Sequence, residues 1–152
     1  MKAVTDTGPL IILAKMDRLS LLMQLYGRLY APTCVKKELI FPQKAIDFLD
    51  TYVEVRDVYP DHQFVEAIGI EGCDIGVYSL YREIGADEML FVNKKAEYRL
   101  GRYGKVRDVM NLKDIAEEKG VFSKDDSRAF LTDLKNLGYK PRLVDKELSR
   151  CR

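Results

Sequence analysis

Lys2-Ala3-Val4-Thr5-Asp6-Thr7-Gly8-Pro9-Leu10-Ile11-Ile12-Leu13-Ala14-Lys15 decides how this chain is read. Residues Lys2 to Thr5 have the character of a short buried strand. The strand stops at Asp6-Thr7-Gly8-Pro9. An apolar run starts at Leu10, with Pro9 in the first helical turn, where a missing N–H costs nothing. Strand, acid, helix is the order in which an open α/β sheet presents a polar group, and sites in such sheets lie beyond the carboxyl ends of the strands. Asp6 therefore has two readings. It is an N-cap for the following helix, or it stands at the mouth of a site.

The rest of the composition narrows the chemistry. With 152 residues the expectation is one domain, residues 1–152, with a real core. The formal net charge of +1 gives no global field toward nucleic acid or membrane, so any such signal is local. No apolar run approaches the ~20 residues that span a bilayer. Lys2 is followed at once by a strand, with no signal-peptide pattern, so a cytoplasmic protein without membrane partners is expected. Cys34, Cys73 and Cys151 are odd in number and far apart, and form no zinc spacing, so they read as free thiols. His62 is the single histidine and sits in a polar stretch with no nucleophile near it. Catalysis, if present, rests on carboxylates and a metal.

Along the chain, two short helical stretches surround a break at Met16-Asp17-Arg18, and Gly27 reads as a helix terminus. Arg28 to Ala31 is a strand stopped by Pro32, and Thr33 is a candidate cap for a helix carrying Glu38. Val53 to Val58 alternates as an edge strand does. Cys73 to Ile84 is a helix ended by Gly85, with Asp74 in its first turn, where the helix dipole favours an anion. Asp74 is thus either a terminus anion or a ligand. Met89-Leu90-Phe91-Val92 fits a fully buried parallel strand, and Asn93 holds the place after it that Asp6 holds after the first. Between Lys94 and Arg107, six basic residues face one acid, Glu97, a local excess of +5. That excess is either a solvated face or a phosphate-contacting patch. Ser123-Lys124-Asp125-Asp126 has a capping-box pattern. Pro141 to Val144 reads as extended, and the charged residues after it as a fraying tail.

Strands alternating with helices imply a parallel α/β sheet with helices on both faces. Asp6 and Asn93 then reach the same edge, with Glu38 and Asp74 on neighbouring connections. Oxygen ligands without His or Cys suit a hard cation, Mg²⁺ or Mn²⁺. Such a cluster beside a basic face is the equipment of phosphodiester hydrolysis.

Val4-Thr5-Asp6-Thr7-Gly8-Pro9-Leu10-Ile11, then Leu13-Ala14-Lys15, Tyr30-Ala31-Pro32 and Val35-Lys36-Lys37-Glu38-Leu39, resembles the N-terminal half of a PIN domain. The nearest branch is that of small prokaryotic VapC-like toxins. The likeness continues more loosely through Glu71-Gly72-Cys73-Asp74 and Asn93-Lys94-Lys95-Ala96. It implies a three-layer sandwich around a mostly parallel sheet of about four to five short strands. It also implies a Mg²⁺- or Mn²⁺-dependent ribonuclease, often a toxin with an antitoxin partner and often a homodimer. By position, Asp6, Glu38 and Asp74 match family metal ligands, and Thr7 matches the hydroxyl residue beside the first acid. Asn93 departs from the pattern, standing where the family usually has Asp. It offers an oxygen but no charge, and Asp108 is a remote substitute.

The expected function is RNA cleavage. Asp6, Glu38 and Asp74 hold the cation, Thr7 and Asn93 orient water or a ligand oxygen, and Lys94, Lys95, Arg99 and Arg102 contact phosphates. The alternatives are a degenerate PIN module that binds RNA or a protein without cleaving, and an unrelated metal phosphatase.

Overall fold

The computed structural model describes residues 1–60 and 62–151. Five strands form one sheet: β1 (Lys2–Thr5), β2 (Arg28–Pro32), β3 (Val53–Arg56), β4 (Glu88–Phe91) and β5 (Val106–Asp108). Their order is β3-β2-β1-β4-β5, and every neighbouring pair is parallel. Val4 pairs with Tyr30 on one side and Met89 on the other, which puts β1 at the centre. All four residues of β4 are buried, as a strand covered on both faces requires. The alternation in β3 follows from its place at the edge.

The sheet belongs to a compact unit, Met1–Val109, that also holds seven helices among its described residues. These are α1 (Thr7–Lys15), α2 (Ser20–Leu25), α3 (Thr33–Glu38), α4 (Gln43–Tyr52), α5 (His62–Ile68), α6 (Cys73–Ile84) and α7 (Lys94–Leu100). Val4, Tyr30, Met89 and Phe91 share a core cluster with Val65, Val77, Leu80, Ala96 and Leu100 from α5, α6 and α7. Residues alternate across a strand, so Ala3, Leu29, Ala31 and Leu90 point the other way, and they are buried too. Both faces are therefore covered, giving the α/β sandwich expected from the strand-helix alternation.

At the amino end of β4, Glu88 is 1% exposed. It accepts a 2.8 Å hydrogen bond from Tyr26 Oη and one from Arg107 Nε, and Lys105 Nζ lies 3.8 Å from Oε2. A buried carboxylate requires such partners. Burial and the Glu88 charge push the Tyr26 hydroxyl pKa up.

The second unit, Met110–Arg152, carries α8 (Leu112–Glu118), α9 (Lys124–Asn136) and α10 (Pro141–Arg150). The Ser123–Asp126 capping box is formed in both directions. Residues 141–144 are helical, not extended, and the helix runs on through the charged segment. Pro141 stands at the first helical turn, Val144 is fully buried, and Asp145 and Glu147 pair with Lys135 and Lys113 at 2.8 and 3.3 Å. One smaller expectation also changes. Pro32 is the last residue of β2 and precedes α3, so Thr33 lies inside the helix and its hydroxyl donates to Asp57 Oδ1. Gly27 does stand at C′ of α2, after the extended C-cap Tyr26, but it does not adopt the left-handed conformation, and its N–H donates to Met1 O.

Candidate active site

β1 and β4 lie side by side, and the chain leaves β1 toward β2 but leaves β4 toward β5. This is the switch point of the sheet, where a crevice opens beyond the strand ends. Asp6 enters it directly from β1, and its N–H donates to Leu90 O at 3.0 Å, extending the ladder by one rung. Asn93 enters from β4. Glu38 is the last residue of α3, and Asp74 is in the first turn of α6. The cleft they share has a volume of about 230 Å³. Asp6, Glu38, Glu71, Asp74, Asn93 and Lys95 line it, with Ile70, Cys73 and Ala96 as walls. Four carboxylates thus face one ammonium. A larger hollow of about 380 Å³, lined by Phe64, Tyr78 and Arg82 among others, has no such convergence of acids.

Asp6 holds the N-cap position of α1 and also lines the cleft. It is the residue before α1, yet its carboxylate makes no capping hydrogen bond. Its pKa is pushed up to about 6, first by burial and then by the Asp74 and Glu38 charges, against a lowering contribution from the Thr7 N–H. Asp74 is also raised, by burial and by Glu38 and Glu71, with Lys95 opposing. The helix terminus favours the Asp74 anion, but desolvation and like charge prevail.

Asn93 behaves differently from Asp6. Its Oδ1 accepts the Lys95 N–H at 2.9 Å and caps α7, which turns the amide Nδ2 toward Asp74 Oδ2 at 3.4 Å. Its oxygen is thus committed to the backbone, and its N–H₂ faces a carboxylate. Thr7 Oγ1 plays the matching part for Glu38 Oε2, at 2.9 Å. Asp108 ends β5, buried, and does not line the cleft.

The cysteines overturn the expectation of free thiols. Cys34 and Cys73 form a disulfide across 39 residues of sequence, and Cys151 alone is free. Linear spacing carries no sign of this pair. α3 and α6 pack together and bring the two side chains into register. Carboxylate oxygens of Asp6 and Glu38 and the Cys73 sulfur all lie within 4.8 Å of one another. The sulfur is bonded to Cys34 and brings no thiolate, so the donor set facing the cleft is oxygen.

A family model described as a PIN domain matches residues 2–139. The chain belongs to the PIN-domain family. No curated protein matches it. PIN domains are typically nucleases and usually use divalent metals, and the acids of this PIN domain fit that use. They are hard oxygen donors in a cleft where burial first, and then their like charges, raise two of their pKa values.

The basic residues divide. Lys95 lines the cleft and lies 3.4 Å from Glu71. Lys94 and Arg102 are exposed. Arg99 NH1 donates to Ile68 O at 3.2 Å, tying α7 to the end of α5. Lys105 and Arg107 serve Glu88 at the opposite end of the sheet. Glu71 is the site residue that sequence reasoning missed. Its signal was an acid three residues before Asp74, within the same quoted motif.

No described helix is long and apolar enough to cross a membrane.

Proposed function

We propose that this PIN domain is an endoribonuclease dependent on Mg²⁺ or Mn²⁺. The observation that supports it most is the convergence of Asp6, Glu38 and Asp74, from three separate elements, at the switch point of the sheet. These three carboxylates hold the cation. When bound, the cation supplies Lewis-acid charge for phosphodiester hydrolysis. Thr7 fixes the Glu38 carboxylate, and the Asn93 amide fixes that of Asp74. Lys95 meets the RNA backbone at the cleft, with Lys94 and Arg102 extending the contact along α7. In this reading the chain is the toxin of a toxin–antitoxin pair, a cytoplasmic homodimer held in check by an antitoxin protein.

The test is a labelled single-stranded RNA incubated with Mn²⁺ and either the wild type or Asp6→Asn. Cleavage by the wild type alone supports the proposal. Cleavage by both, or dependence on no cation, overturns it. Growth arrest on expression, abolished by the same substitution, tests the toxin role.

One observation favours a second reading, a module that binds RNA without cutting it. Asn93 brings no charge and spends its oxygen on the Lys95 N–H. Equal gel shifts by wild type and Asp6→Asn, with neither cleaving, would select that reading.

A further inference from the structure

The disulfide joins two of the three elements that carry the proposed ligands. Cys34 lies one helical turn before Glu38 on α3, and Cys73 immediately precedes Asp74 on α6. Residues four apart share a helix face, so the bridge pulls on the side of α3 that presents Glu38. The Cys73 sulfur sits within 4.8 Å of carboxylate oxygens of both Asp6 and Glu38. Gly76 makes room for the bridge: a Cβ there would stand 3.1 Å from Cys34 Sγ and 3.1 Å from Pro32 Cβ. Glu38 itself is exposed, and α3 is six residues long. A helix that short has little stability of its own. Its buried Val35 keeps it on the protein and Thr7 holds the Glu38 carboxylate, while the bridge ties α3 to α6, which carries Asp74.

We propose that Cys34–Cys73 is a redox-modified site that controls cation binding, with the bridged form the tight binder and the dithiol form the weak one. The proposal rests on reading the cleft as a cation site. Cys34 is half-buried whereas Cys73 is 9% exposed, so exchange begins at Cys34. The thiolate of a dithiol reductant attacks Cys34 Sγ, and the Cys34–Cys73 bond breaks. Cys73 Sγ leaves with the electron pair and takes a proton. The second thiol of the reductant then resolves the mixed disulfide, releasing Cys34 as a thiol and closing the reductant's own disulfide. Two electrons and two protons reach the protein. A disulfide within reach of a thiol exchanges by this route, and this one ties α3 to α6.

The experiment uses the full chain, oxidised with diamide or reduced with dithiothreitol. Thiols are counted, and Mn²⁺ binding is followed by the electron paramagnetic resonance of the free ion. Expected are one free thiol after oxidation and three after reduction. Reduction should weaken Mn²⁺ binding about tenfold, the loss of a preorganised ligand, and reoxidation should restore it. Cys34→Ser, with its fold checked by circular dichroism, should bind at the weak level and ignore the reductant. The reduced wild type makes the same comparison without a substitution. Equal Mn²⁺ affinity in the two forms, or three free thiols after oxidation, overturns the switch alone. Absence of Mn²⁺ binding in both forms overturns the cation site and the switch with it.

Discussion

Thr7 Oγ1 donates a 2.9 Å hydrogen bond to Glu38 Oε2 across 31 residues of sequence. It links the start of α1 to the end of α3. Asn93 makes the corresponding link to Asp74 from the other side of the cleft. Each residue just past a central strand thus steadies a carboxylate from a distant element, while Asp6 is left with raised proton affinity.

Thr7→Val keeps the shape of this buried side chain and removes the donor. Mn²⁺ binding and RNA cleavage should each fall about fivefold, the worth of one hydrogen bond of ~1 kcal/mol. Calorimetric titration with Mn²⁺ checks the first, and the melting temperature should move little.

Asp6 gives a pH signature. Its folded pKa of about 6 lies above the ordinary 3.8, so between those values the folded chain holds a proton that the unfolded chain releases. Its contribution to stability is therefore greatest below 3.8 and is lost as the pH rises through 6. Asp6→Asn should stabilise the cation-free protein at pH ~7.5 by on the order of 2 kcal/mol, several degrees in Tm. The difference should vanish near pH ~4. Mn²⁺ should raise the Tm of the wild type only. Melting curves at both pH values, with and without Mn²⁺, decide this.

Asn93→Asp should keep the α7 cap, since Asp caps as well as Asn, and place a new charge beside Asp74. The expected result is Mn²⁺ affinity higher by about tenfold and a cation-free Tm lower than that of the wild type. Unchanged affinity would mean that this position does not face the cation.

Lys95→Ala and Arg99→Ala should separate phosphate contact from architecture. Lys95→Ala should weaken RNA binding and reduce the slope of log K against log salt by about 1. Arg99→Ala should leave that slope alone and cost about 1–2 kcal/mol of stability by freeing Ile68 O. Filter binding across a salt series, with melting curves, reads both.

In the second unit, Ser127 is fully buried and its hydroxyl has no hydrogen-bond partner among the described residues. Ser127→Ala removes an unsatisfied polar group from a helix interior and should raise stability by about 1 kcal/mol, measured by urea denaturation.

The sequence disclosed those parts of the protein that are local. Met89 to Val92 read as a buried strand because burial on both faces leaves a continuous apolar run, and Lys2 to Thr5 because it stops at Asp6-Thr7-Gly8-Pro9. Asp6 was legible as a strand-end acid, but whether it capped α1 or faced a cleft depended on where Glu38 and Asp74 arrived. The orientation of Asn93 was set by a backbone N–H that no pattern reveals. The basic excess looked continuous in sequence, yet Glu88 draws Lys105 and Arg107 to the other end of the sheet. Pro141 to Val144 resembled an extended segment because a proline opens it and a β-branched residue closes it. Burial of Val144 and the pairing of Asp145 and Glu147 with lysines fix it as helix.

The central place of β1 has a consequence for biosynthesis. Ala3 pairs with Leu29 on one side but with Glu88 on the other. A growing chain can zip β1 to β2, and β2 to β3, early, while the opposite edge of β1 stays bare until β4 has left the ribosome. Asp6 directly follows β1, yet its cleft lacks the Asn93 side before then. The cleft at the switch point is therefore completed late, once β4 and the Asn93 that follows it have been made.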